Sequence, residues 1–353
     1  MEKVLDDPVK FKGIDKSDML QKAYSLPDML DEGWKIAKGS GLKDLGVIEN
    51  VAIAGMGGSA IGGDIVQTAF SDKLAVPVHV GRSYEIPNFV SERTLFIAVS
   101  YSGNTEETIS ALNKALARKS RVVTISSGGK LEALSNEAKA PHIKIPSGFP
   151  PRAALGYILP SLLYVFSALK LADGVEEGIA ESVSLLRKLR KNYSIDEPEK
   201  SNAVKQMAIK IKGKVPIIMS CADTTYPAGQ RLKTQLNENS KVTALHLVFP
   251  ELNHNDLVNF SFLDPGKHEF FAIVLRDRSD YDRMIKRIEV TKSLVSGKLG
   301  GFNELWAEGR LKLARILSLI MFGDFLSIYL GVSLGIDPTP VTVIEQLKKE
   351  LAR

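Results

Sequence analysis

Thr94-Leu-Phe-Ile-Ala-Val-Ser100-Tyr-Ser-Gly-Asn-Thr-Glu-Glu107 passes from a nearly continuous apolar run into a turn with three aliphatic hydroxyls and a glycine. A short apolar run such as Leu95–Val99 is expected of a strand buried on both faces of a parallel sheet. Downstream, Glu106 to Arg118 has helical periodicity. A helix starting near Asn104 aims its free backbone N–H groups and positive dipole end back at the Ser100–Thr105 loop. A dianionic phosphate is stabilised in such a place without any lysine.

The same alternation extends in both directions. Val51-Ala-Ile-Ala54 reads as a strand, Gly55-Met-Gly-Gly-Ser-Ala-Ile-Gly-Gly63 as a glycine loop and Asp64 to Phe70 as a helix. Further strands are expected at 76–80, 121–125 and 142–145, with helical stretches between them, and this order means a parallel α/β sheet. Residues up to Gly46 are amphipathic and helical, with Leu20, Tyr24, Leu30, Trp34 and Ile36 as apolar positions expected to pack across the outside of the sheet. Ala172-Asp-Gly-Val marks a boundary, so domains of 1–172 and 173–353 are expected. Charged helices follow at 176–192 and 198–212. A second sheet is expected from strands at 216–221, 243–248 and 270–275, with helices at 230–236, 281–293, 311–330 and 341–352. The fold class is therefore α/β, with two doubly wound domains, each a mainly parallel sheet flanked by helices.

A chain of 353 residues exceeds what one hydrophobic core usually serves, which agrees with two domains. The net charge of +5 comes from Lys and Arg interspersed with Asp and Glu. There is no basic arm or aromatic-spaced basic stripe of the kind nucleic acid demands, and an anionic small substrate suits the balance better. Cys221 is the only cysteine, which excludes an intramolecular disulfide and points to a reducing, cytoplasmic setting. The N-terminus has no signal-type apolar segment. Two stretches come near the length of a membrane span, Ala153–Leu169 without a charge and Ile316–Ile336 interrupted by Asp324. Both are read as buried helices rather than membrane anchors.

Each chemistry-bearing motif has a plainer alternative. Gly55-Met-Gly-Gly-Ser-Ala fits a dinucleotide fingerprint, yet the second strand ends in Gly81-Arg82 instead of an acid, so only an NADP reading survives on it. Equally, the glycines could merely permit a tight turn. What favours a sugar phosphate is the second, hydroxyl-rich turn at Ser100–Thr105, because neighbouring strand ends open into one crevice. Arg152 follows two prolines that limit where its guanidinium can point, although an ion pair is the commoner fate of an arginine. Glu238 lies in Gln235-Leu-Asn-Glu238-Asn-Ser at a helix end, where the dipole disfavours a carboxylate and favours a base; a solvated helix-end carboxylate is the alternative. His254 sits among amides in Glu251-Leu-Asn-His254-Asn, a loop setting suited to proton transfer. His79, His142, His246 and His268 are scattered without metal-ligand spacing, so no catalytic metal is expected. Lys348 and Lys349 lie beside Glu345 and Glu350 and read alone as a salt-bridged face.

Taken in order, Gly-Met-Gly-Gly-Ser-Ala-Ile-Gly-Gly, Ser-Tyr-Ser-Gly-Asn-Thr-Glu-Glu, Pro-Pro-Arg-Ala-Ala-Leu-Gly, Asn-Glu-Asn-Ser-Lys, Glu-Leu-Asn-His-Asn and Asp-Pro-Thr-Pro-Val form a set. The chain resembles the bifunctional phosphoglucose/phosphomannose isomerases, built of two SIS (sugar isomerase) domains, over nearly its whole length. The resemblance implies that Gly57, Gly58 and Ser59 contact the sugar and that Ser100, Ser102 and Thr105 hold its phosphate. It places Arg152 over the reacting carbons and makes Glu238 the isomerising base. His254 and a lysine of the closing helix, Lys348 with Lys349 as alternate, would open the ring. Thr339 or Thr342 would correspond to a family threonine near the substrate. No cofactor or metal is implied, and a homodimer is, with the histidine donated by the neighbouring subunit. Two rivals remain at this stage: an SIS-type sensor that binds a sugar phosphate without turnover, and an NADP oxidoreductase.

Overall fold

The computed structural model describes residues 4–263 and 269–351, so His268 lies outside the described residues. Two compact units share the chain unevenly. One comprises Ser25–Arg187 and Glu308–Ser318; the other comprises residues up to Tyr24, Lys188–Ala307 and the residues from Leu319 onward.

The first unit holds a five-stranded parallel sheet of β1 (Asn50–Ala54), β2 (Val78–Gly81), β3 (Thr94–Val99), β4 (Arg121–Ser126) and β5 (His142–Lys144), in the order β2-β1-β3-β4-β5. Central β3 is buried along its whole length, which is why it reads as an unbroken apolar run. The chain leaves β1 toward β2 on one side and returns to β3 on the other. That reversal makes the carboxyl ends of β1 and β3 the topological switch point, where open α/β sheets receive ligands. Ala52, Phe96, Leu112, Val122 and Leu131 join one face of the sheet to its helices.

The leading helix Leu26–Lys38 does not lie mainly across the sheet, as its amphipathic pattern suggested. It packs chiefly on the uncharged helix Leu155–Ala168. Glycines make that approach possible: a Cβ on Gly33 would come within 2.7 Å of Pro160 Cγ and 2.9 Å of the Gly156 carbonyl oxygen. Pro160 has no amide to bond that oxygen, so the prolyl position and the glycine opposite it suit each other. The same apolar helix also carries Leu162, against which Gly62 of the helix Gly58–Ala69 sits closely.

The second unit contains a four-stranded parallel sheet of β6 (Val215–Cys221), β7 (Leu245–Phe249), β8 (Phe270–Arg276) and β9 (Phe302–Trp306), ordered β7-β6-β8-β9. Its core gathers Ile217, Met219, Phe249, Phe260, Val274 and Ile288. At its switch point, between β6 and β8, the Thr224 hydroxyl donates to buried Asp280 at 2.6 Å, and the Asp277 amide donates to the same carboxylate at 3.1 Å. Side chains of the loops themselves therefore occupy this crevice, and burial raises the Asp280 pKa.

The helix Lys312–Ser333 is long and apolar enough to cross a membrane, but nearly all of it is buried inside the protein. Asp324 within it is paired bidentately with Arg231 at 2.8 and 2.9 Å and accepts from Gln235 at 2.8 Å. The charge that breaks the apolar run thus belongs to a fully bonded buried pair, and removing either partner alone would leave an uncompensated charge.

Candidate active site

At the switch point of the first sheet, the loop after β1 turns on Gly57, whose φ of +50° and ψ of −121° suit glycine, and enters the helix Gly58–Ala69. Ser59, Ala60 and Ile61 already use the carbonyls of Met56 and Gly57. The amides of Gly57 and Gly58 precede that ladder, as at any helix N-terminus. The loop after β3 is held by its own hydroxyls. Buried Ser100 Oγ lies 2.8 Å from Thr105 Oγ1 and accepts from the Thr105 amide at 3.4 Å, while Ser102 Oγ accepts from the Asn104 amide at 3.3 Å. Thr105 then caps the helix Glu106–Ala117 in extended conformation. The two loops meet directly, since the Tyr101 amide donates to Ser59 Oγ at 3.3 Å.

Arg152 belongs to the same place. It lies in the 3-10 turn Pro151–Ala153 and is only 4% exposed, so it is not a surface arginine. A Cβ on Gly58 would stand 3.1 Å from the Pro151 carbonyl oxygen and 3.4 Å from Arg152 Cα. The glycine is what lets the helix N-terminus and the arginine turn touch. The structure therefore brings Gly57, Gly58, Ser59, Ser100, Ser102, Thr105 and Arg152 together.

Two contributors escaped the reading of the sequence. Tyr101, between the two serines, turns its ring inward; its hydroxyl donates to the Pro146 carbonyl at 3.1 Å and accepts from the Phe149 amide at 2.8 Å. The Ser100–Thr105 loop is thereby tied to the strap that leads into Arg152. A third turn, Ser126-Ser-Gly-Gly129 after β4, braces the loop from behind. Ser127 Oγ donates to the Tyr101 carbonyl at 2.7 Å, and the Leu131 amide donates to the Gly103 carbonyl at 2.9 Å. The repeated hydroxyl-glycine composition after a strand was the available signal. Arg82, on which the NADP reading depended, is paired with buried Asp64.

The remaining residues expected from the sequence, Glu238, His254, Thr339 and Lys348, lie in the second unit. Glu238 is half-buried in a single π-helical turn, Leu236–Ser240, that ends the helix Tyr226–Gln235. Such turns are frequent at functional sites. Its neighbours anchor it to the long apolar helix: Asn239 Nδ2 donates to Ser327 Oγ at 2.9 Å, and the Ser240 hydroxyl donates to the Ser327 carbonyl. Lys241, in left-handed conformation with φ +57°, closes the turn. Its Nζ donates to the carbonyls of Glu238 at 2.6 Å and Pro338 at 3.0 Å, which sets Thr339 beside the Glu238 turn. The Thr339 amide donates to Asp337 Oδ1 at 3.0 Å. His254 is exposed at the end of the 3-10 turn Glu251–Asn253. Lys348 is exposed on the terminal helix Thr342–Leu351 and forms no ion pair among the described residues.

Comparison with known proteins identifies two families along the chain. The SIS domain family matches residues 46–169, and the bacterial phospho-glucose isomerase C-terminal SIS domain family matches 200–351. A curated bifunctional phosphoglucose/phosphomannose isomerase of Caldicellulosiruptor bescii is 40% identical over 95% of this chain and 99% of its own. The chain belongs to the bifunctional phosphoglucose/phosphomannose isomerase family. Another member with that description, from Thermoplasma acidophilum, is 38% identical over 87% of this chain and 91% of its own. Among solved structures, a glucose-6-phosphate isomerase like protein from Thermus thermophilus shares the fold, with a TM-score of 0.62, 18% identity and coverage of 98% of each chain. Among the described residues, the hydroxyl-glycine turns lie at the switch point of the first sheet, and the loops at the second carry Thr224, Asp277 and Asp280.

Proposed function

We propose that the protein interconverts glucose 6-phosphate and mannose 6-phosphate with fructose 6-phosphate through an enediolate, without a cofactor. The observation that carries this reading is the convergence of Gly57–Ser59, Ser100–Thr105 and buried Arg152 on one crevice, in a chain of this family. Main-chain amides at two helix N-termini, with the hydroxyls of Ser100, Ser102 and Thr105, take the phosphate. Gly57, Gly58 and Ser59 leave room for the sugar.

Ring opening requires a proton delivered to the ring oxygen and another removed from the anomeric hydroxyl, and His254 and Lys348 divide that work. In support of Lys348 over Lys349, residue 348 flanks the apolar stripe of Val343, Ile344, Leu347 and Leu351, whereas 349 lies off it. Glu238 takes the proton from carbon 2 and returns it to carbon 1. Arg152 stabilises the negative charge that develops on the intermediate. Because carbon 2 is planar in the enediolate, the difference between glucose and mannose vanishes there, and one base serves both. Thr339, beside the Glu238 turn, contacts the substrate.

The proposal includes a homodimer in which His254 serves the neighbouring subunit's site. His254, Val258 and Phe262 follow one another at intervals of four, and Val258 and Phe262 are 63% and 84% exposed. Apolar side chains so placed call for a covering partner. Progress curves with glucose 6-phosphate and mannose 6-phosphate, coupled to a reporter of fructose 6-phosphate, test the function. Turnover of both is expected from a purified, folded protein, and turnover of neither would overturn the reading.

A further inference from the structure

Within the second unit, a cavity of about 340 Å³ opens between the helix Asp282–Val295 and the turn that precedes His254, bounded by Arg283, Lys286, Arg287, Asn253, Leu257 and Val290. Its volume is within the range of small-molecule sites. Positions 283, 286, 287 and 290 fall at helical spacing, so three cations and one apolar side chain project from a single face. None of the three cations forms an ion pair among the described residues. The helix carries two acids: Asp282, beside Arg283 in the first turn, and Glu289, which is paired with Arg276. The opposite wall supplies Asn253, whose Nδ2 donates to Thr291 Oγ1 at 2.8 Å while its buried Oδ1 has no hydrogen-bond partner. With three cations against the single carboxylate of Asp282, this face keeps a net positive charge, which attracts an anion.

We propose that this cavity binds a small organic phosphate, with the phosphate on Arg283, Lys286 and Arg287 and the carbon chain against Leu257 and Val290. Every residue bounding it belongs to the second unit, and none to the unit that holds the first sheet. Asn253 immediately precedes His254, and the Asn253–Thr291 hydrogen bond already ties their turn to the cationic helix. Occupancy therefore acts on the turn that presents His254. That regulatory consequence rests on the isomerase reading, whereas binding does not.

The test uses 3-phosphoglycerate, which carries a phosphate, a carboxylate and a hydroxyl, in calorimetric titrations at physiological ionic strength. Wild type, Lys286→Ala/Arg287→Ala and the crevice variant Ser102→Ala are compared. We expect saturable binding to wild type and to Ser102→Ala, weakened about tenfold or more in Lys286→Ala/Arg287→Ala. The two cations are at or near the surface, so their removal should leave the fold intact, and an unchanged circular dichroism melt verifies it. Absence of binding to wild type, equal binding to the pocket variant, or loss of binding in Ser102→Ala would each overturn the site. If the protein turns over hexose phosphates, 3-phosphoglycerate should change kcat at saturating substrate in wild type and not in the pocket variant; a purely competitive effect would overturn the coupling to His254.

Discussion

Ser102 is exposed while Ser100 and Thr105 bond each other, so Ser102 Oγ is the hydroxyl of the loop most available to a ligand. Replacing it with alanine should raise KM for hexose phosphate about tenfold while kcat changes little, since one charge-assisted hydrogen bond is lost equally in ground and transition states. An unchanged KM would count against the phosphate assignment. His246 gives a different kind of prediction. Its ring lies 2.7 Å from Ser220 Oγ and 3.0 Å from Gln230 Oε1, a bonding pattern that suits the neutral imidazole. Burial, and then the charge of Lys233, pushes its pKa down to about 4. The unfolded chain takes up a proton near pH 6.5, which the folded chain refuses until about pH 4. The contribution to stability is thus complete above pH 6.5 and is lost as pH falls through that window, on the order of 2 kcal/mol. Thermal melts between pH 7.5 and 4.5 should show the loss, and His246→Gln should flatten that part of the slope. A slope identical to wild type would remove His246 from the account.

The turns that carry the site are rigid because backbones touch there. Gly103 has φ +69°, and a Cβ on it would lie 1.7 Å from the Gly128 carbonyl oxygen. Gly103→Ala should therefore destabilise the first sheet's loops by about 3 kcal/mol or more and abolish turnover. Gly297→Ala, where a Cβ would meet nothing within 4 Å, should be nearly neutral in the same melts. Comparable effects from the two substitutions would contradict the role given to Gly103. Most strands and helices were readable in the sequence because buried parallel strands are apolar runs and their helices are periodic. β9 was not: Phe302-Asn-Glu-Leu-Trp306 is an edge strand carrying Asn303 and Glu304, and its polarity conceals it. Arg152 was legible as a residue and ambiguous as a role, because the Gly58 contact that seats it joins residues far apart in sequence. Tyr101 passed as a spacer for a similar reason: its partners, Pro146 and Phe149, lie more than forty positions away.

The chain passes between its two units at Tyr24, Arg187, Ala307 and Ser318. The last of these crossings falls inside the continuous helix Lys312–Ser333, where no change of composition marks it. At this scale the proposal requires complementation. An equimolar mixture of inactive Glu238→Gln and His254→Ala chains, allowed to exchange subunits, should recover about a quarter of wild-type activity, because half of the dimers become mixed and each of those has one intact site of two. No recovery after verified exchange would place both residues in sites of a single chain. The central claim, that Glu238 moves the proton between carbons 1 and 2, is tested most directly by turnover of glucose 6-phosphate in deuterium oxide. Wild type should yield fructose 6-phosphate labelled at carbon 1, and Glu238→Gln should lose at least a factor of about a thousand, or ~4 kcal/mol of transition-state stabilisation. Near-wild-type turnover with the same labelling in Glu238→Gln would contradict it.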